Sequence, residues 1–150
     1  MKTTEKYGKK IDTALTMWVK LARAASTFNK KTNESIRSFG LTESQFGVLE
    51  TLGHLGPMTI GNLCKKQLVS GGNMTLVVDN LEKNDLVRRI HSTADRRKIS
   101  IELTEKGLSL FESTFIKHAE DVARFASVLN DSEIEQLSVL LKKLGKGLQE

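Results

Sequence analysis

Apolar residues recur every three or four positions at the start of the chain. Ile11, Ala14, Leu15, Trp18, Leu21, Ala22, Ala25 and Phe28 fall on one wide face, which predicts a helix from about Lys9 to Lys31. At roughly 1.5 Å per residue such a helix exceeds about 30 Å, and one that long in a small domain is expected to pack against something beyond its own chain. Residues 33–39 are expected to add a short turn before Gly40. Thr42 and Gln45 have capping-box spacing and open a helix through about Gly53, with Phe46, Leu49 and Leu52 inward. Gly56 and Pro57 break the pattern. Thr59 then caps a short helix holding Ile60, Leu63 and Leu68. Ser70 caps the next, through Lys83, with Met74, Val77, Val78 and Leu81 inward.

After Lys83 the period shortens. Leu86, Val87, Ile90, Ile99, Ile101 and Leu103 flank a polar tip, Ser92–Arg97, and two short β-branched runs around a charged tip predict a hairpin. Thr104 opens a long helix carrying Leu108, Phe111, Phe115, Ala119, Val122, Phe125 and Leu129. Asn130 and Glu133 repeat the capping-box spacing. A last amphipathic helix carries Ile134, Leu137, Leu141, Leu144 and Leu148 and is expected to end at the glycine-rich GKG. The expected fold is mainly α with a small β-hairpin (α+β). No internal repeat or low-complexity segment interrupts it.

Composition adds three constraints. The 150 residues, 39% of them hydrophobic, suffice for one domain with its own core, and a single proline suits long helices. Most of the formal net charge of +5 is local, because residues 59–98 hold eight basic side chains against four acidic ones. A local basic surface suits a phosphate backbone, although on charge alone a solvated basic face explains it as well. One cysteine, Cys64, excludes an internal disulfide and a cysteine-built zinc site. The start MKTTEKYGKK has no apolar stretch behind its charges, and no apolar run reaches the roughly 18 residues of a membrane span. A cytoplasmic location away from membranes is expected.

Two short helices joined by a tight turn and followed by a basic hairpin form the sequence pattern of a winged helix-turn-helix. The second helix, Ser70–Lys83, is the expected reader of the major groove. Its first turn offers Ser70, Gly71, Gly72, Asn73 and Thr75, all small or hydrogen-bonding. Asn73 suits a bidentate contact to adenine, Thr75 a base edge or thymine methyl, and Ser70 with the free N–H groups a phosphate. The two glycines have two readings, close backbone approach to DNA or a loose helix start. At the hairpin tip, Asp95, Arg96, Arg97 and Lys98 set three cations beside one acid. Arg97 is assigned to the minor groove, Asp95 to orienting it, and Arg96 to a phosphate. Leu76 and Arg88 complete the residues expected at DNA.

The run LVSGGNMTLVVDNLEKNDLVRRIHSTADRRKISIELTEKG resembles the MarR family of multiple antibiotic resistance regulators. The matching pieces are LVS-x-GN-x-T, LEK-x-x-LV-R, the DRR tip and L-T-E-K-G. The upstream L-T-x-x-Q-F-x-V-L-x-x-L at Leu41–Leu52 matches as well. The likeness spans essentially the whole chain, as a single domain. It implies dimerisation helices over 9–31 and 104–149 around a DNA-binding part at 42–103. It further implies a homodimer that places two recognition helices in successive major grooves of a pseudo-palindromic duplex, usually to block transcription. Many members release DNA when a small, often aromatic and anionic, ligand binds between the dimer and DNA-binding parts. Others answer to oxidation of a cysteine.

The signal sensed is less legible. Met17, Trp18, Leu21, Phe46, Leu49 and His54 are candidate pocket residues. Trp18, on an apolar stripe, reads as core ahead of ligand-binding, and His54, beside the Gly-Pro break, as a loop histidine ahead of a ligand or metal site. Cys64 sits between a core position and Lys65–Lys66, so it reads either as a small buried hydrophobe or as an oxidation sensor. His54, His91 and His118 lie far apart in sequence, so no metal is expected, and no other cofactor is implied. A competing class is a helical protein-interaction module, but such a bundle has no reason for an Arg-Arg hairpin beside a polar helix start. Catalytic arrangements and phosphate-cradling loops find no convincing match, so no enzymatic activity is expected.

Overall fold

Local capping sets the helix boundaries. The Thr42 hydroxyl accepts from the Gln45 N–H at 3.2 Å while the Gln45 side chain accepts from the Thr42 N–H at 2.9 Å. The Asn130–Glu133 box closes in the same reciprocal way. Thr104 accepts from the Gly107 N–H at 3.0 Å. Each motif satisfies donors that a helix start would otherwise leave open. In a computed structural model describing residues 6–67, 71–91 and 99–148, the order is α1 (Lys9–Ser38), α2 (Glu43–Leu55), β1 (Met58–Thr59), α3 (Ile60–Gln67), α4 (Gly71–Lys83), β2 (Val87–His91), β3 (Ile99–Leu103), α5 (Glu105–Ala126) and α6 (Asp131–Gly147). The fold is thus mostly helical, with a small antiparallel sheet ordered β1-β3-β2.

Several boundaries differ from the sequence reading. The first helix does not stop near Lys31. Residues 32–38 hold neither proline nor glycine, Ile36 finds a core position, and the helix runs on to Ser38. Gly40, at φ 76°, makes the turn. The second helix passes Gly53 and ends at Gly56, also at φ 76°. Gly53 is there for packing, because a Cβ would run into the Phe111 ring. His54 is therefore a helical residue and not a loop histidine. The last helix, α6, ends at Gly147, the final residue of the GKG run, as expected. A third strand, β1, was not expected; it pairs Met58 with Ile101 and Thr59 with Ser100.

The core lies in the middle of the chain. Phe46, Val48, Leu49 and Leu52 of α2 meet Leu63, Met74, Val78, Leu81, Leu86, Val87 and Ile101, with Ile36 and Phe111 reaching in from α1 and α5. At roughly 1.5–3 kcal/mol per buried large apolar side chain, these hold the helix-turn-helix and its sheet together. The flanking helices are attached differently. Ser35, buried on α1, donates to Asp121 of α5 at 2.6 Å, and Phe28 meets Phe125 edge to face at 6.1 Å. The Ser35 hydroxyl, and after it the Arg124 guanidinium, hold the Asp121 carboxyl below the usual carboxylate range.

Much apolar surface stays uncovered within the chain. Trp18 does not join a core as its stripe suggested; it is 61% exposed, in company with Ile11, Leu15 and Met17. Helix α6 buries no residue at all, although its amphipathic face carries Leu137, Leu140 and Leu141. No helix of the described residues is long and apolar enough to cross a membrane.

Candidate DNA interface

Helix α4 is two-sided. Met74, Val78 and Leu81 are buried, while Gly71, Gly72, Asn73, Thr75 and Leu76 are exposed on the other side. The Thr75 hydroxyl bonds back to the Gly71 carbonyl at 3.1 Å, which leaves its methyl for other contacts. Leu76 is 60% exposed, in mid-helix. A Cβ built on Gly71 or Gly72 meets nothing within 4 Å, so among the described residues no packing contact requires either glycine. Open surroundings of this kind suit both readings of the pair, a close approach from outside and a loose helix start.

Beside α4 stands the β2–β3 hairpin, paired from Val87↔Leu103 to His91↔Ile99. Ser70 and the tip residues Asp95, Arg96, Arg97 and Lys98 lie outside the described residues, as does Leu68 of the preceding helix. Arg88 stands opposite Glu102 and donates to it at 2.5 Å across the strands, so its charge is already matched. Arg89, which the sequence reading did not single out, turns toward α4 and binds both Asp79 and Glu82. The hydrogen bond it donates to Asp79 comes first among the influences that make its guanidinium still harder to deprotonate, the charge of Glu82 adding to it while burial opposes. The signal in the sequence was the spacing of Asp79 and Glu82, three apart on one helix and followed by a strand arginine.

The candidate pocket residues do not converge. Met17 and Leu21 line an open apolar cleft of about 1490 Å³ between α1 and α6, together with Phe28, Ile134, Leu137 and Leu141. Trp18 does not line it. Phe46 and Leu49 are core residues of α2. The His54 ring lies edge-on to Phe111 and Phe115, at 5.1 and 4.5 Å between centroids. Cys64 is half-buried and packs against the core. Among the described residues no cluster of three or more His, Cys, Asp or Glu could hold a metal ion.

Known proteins share this sequence pattern and fold. A family model described as MarR family matches residues 41–99, the stretch from α2 into β3. The HTH-type transcriptional regulator MhqR of Bacillus subtilis is 36% identical over 132 residues, 88% of this chain and 91% of that protein. Among solved structures, a mutant MarR from E. coli complexed with operator DNA superposes with a TM-score of 0.74 at 26% identity, over 85% of this chain and 95% of that one. Bordetella bronchiseptica BpsR, whose DNA binding is regulated by 6-hydroxynicotinic acid, superposes with a TM-score of 0.73 at 28% identity, over 83% and 89%.

Proposed function

The chain belongs to the MarR family of DNA-binding transcription regulators, and from that premise we propose that it acts in the cytoplasm as a homodimeric repressor on a pseudo-palindromic operator. Each protomer offers α4 to a major groove and its hairpin tip to the adjoining minor groove. Asn73, Thr75 and Leu76 read bases, with Gly71 and Gly72 letting the backbone come close. Arg97 enters the minor groove, Asp95 orients it, and Ser70, Arg96 and Lys98 hold phosphates. The observation that carries this reading is the two-sided helix α4. Its apolar face is used up in the core, while its glycine-bearing polar turn stands exposed among the described residues.

A dimer accounts for the exposed apolar faces of α1 and α6. Release by a small aromatic anion is the regulation that fits best, because a relative of the same fold is regulated by such a molecule. The bound dimer then blocks transcription until the ligand loosens it.

Selection of bound duplexes from a random pool tests the reading. An inverted repeat with half-sites one helical turn apart, roughly 34–36 Å, is expected. Recovery of direct repeats, or of no preferred sequence, removes the dimer-on-palindrome arrangement. On the selected operator, Arg97→Ala should weaken binding by about 1–3 kcal/mol while the dimer stays intact. Unchanged affinity takes the hairpin tip out of the mechanism. Asn73→Ala should narrow the gap between operator and random duplex more than it weakens random-duplex binding. Equal loss on both reduces Asn73 to a phosphate or structural residue.

A further inference from the structure

Basic residues of a DNA-binding hairpin are ordinarily taken as phosphate contacts. Arg89 does not fit that role. Its Nη2 donates to Asp79 Oδ1 at 2.5 Å, its Nη1 to Glu82 Oε2, and its backbone N–H to Glu82 Oε1 at 3.2 Å. Both oxygens of Glu82 are thus spent on one strand residue. The Arg89 side chain is 25% exposed, against 65% for its neighbour Arg88. A guanidinium shared by two carboxylates sits in a locally negative group, so a phosphate is repelled from it. The two acids pose the complementary question, since they stand on the helix that is to enter a groove walled by phosphates. An acid in that groove either accepts from a cytosine amino group or holds something in place, and here both acids are already bound to Arg89.

We propose that Arg89 is a positioning residue that clamps the hairpin to the recognition helix through Asp79 and Glu82, fixing strand β2 against α4 so that the two elements meet DNA together. The inference rests on the reading of α4 and the hairpin as the two DNA-contacting elements. The planar guanidinium fork suits this task, because it meets two carboxylates at once in a fixed plane, whereas an ammonium meets them as a point charge. The backbone bond to Glu82 adds register, since it fixes where along β2 the helix is attached.

The clamp and a phosphate contact make opposite forecasts. Removing a phosphate contact lowers the steepness of the salt dependence by about one unit in log–log slope, and removing an acid near DNA strengthens binding. Removing the clamp does neither. The test measures Kd on the selected operator and on a random duplex of equal length across a salt series. The proteins are wild type, Arg89→Met, Arg89→Lys and Glu82→Gln, each checked for wild-type circular dichroism and oligomeric state. Arg89→Met should weaken operator binding by about tenfold, the loss of one charge-assisted hydrogen bond's worth of placement, with an unchanged salt slope and little change on random duplex. Glu82→Gln should also weaken operator binding although it removes a negative charge, and Arg89→Lys should fall in between. A salt slope lowered by about one in Arg89→Met, or operator binding by Glu82→Gln as tight as wild type or tighter, overturns the clamp and leaves the DNA reading standing. A wild-type protein that prefers no duplex overturns the DNA reading itself before any variant is compared.

Discussion

Leu137→Glu/Leu141→Glu should give a folded protomer that no longer pairs and binds its operator about a thousandfold more weakly, a loss of roughly 4 kcal/mol. The two leucines line the cleft between α1 and α6 and lie four residues apart on one face of a helix that buries nothing inside its own chain. The cleft, at about 1490 Å³, is larger than the roughly 300–1,000 Å³ of pockets that hold small ligands. Its size and apolar lining suit the helices of a second copy. Two carboxylates inserted there would have to be desolvated without partners, at a cost no apolar contact recovers. The core between residues 41 and 101 is remote from the change, so circular dichroism should keep its wild-type shape. A protomer alone grips one half-site and falls back toward the affinity of non-specific binding. Sedimentation velocity and operator titration read the two effects separately. A variant that remains dimeric, or a monomer that keeps full operator affinity, removes the shared helical base from the mechanism.

Gly107→Ala should destabilise each protomer by about 3 kcal/mol, the upper part of the range for overpacking a tight site. A methyl group there falls on the backbone carbonyl of Leu86, not on a movable side chain. That carbonyl already accepts the Thr104 N–H at 3.1 Å, and Leu86 is itself buried, so the obstacle is held on two sides. For a chain of this length the expected fall in melting temperature is roughly 6–12 °C. A melting temperature within a degree or two of wild type contradicts so close an approach of α5 to the start of β2.

What could be read from the sequence depended on whether the deciding contact was local. Thr42 with Gln45 and Asn130 with Glu133 announce helix starts because both partners of each bond lie within one turn. The hairpin was legible because its two strands are neighbours in the chain. Strand β1 was not, since two residues show no alternation and their partners in β3 lie some forty positions on. The end of α1 was misplaced because nothing local stops it; Ile36 extends the helix by finding a core that other elements build. Trp18 and Leu137 show the same limit from the other side. A stripe at helical spacing reports that a face will be covered, but not whether the cover comes from the same chain. At the site, the polar turn of α4 was legible by residue type, whereas Arg89 became visible only once the strand was set against Asp79 and Glu82. The L-T-E-K-G motif was recognisable as a pattern, but its glycine is explained only by the nearness of Leu86.

Thr104 joins three elements. Its N–H reaches the Leu86 carbonyl, and its hydroxyl donates to the Asp85 carbonyl at 2.7 Å while accepting from Gly107. Lys106 adds a bond from α5 to the Asn84 carbonyl at 2.8 Å. These bonds tie the start of α5 to the turn that leads from α4 into β2, so a tilt of α5 at this end bears on the helix and the strand together.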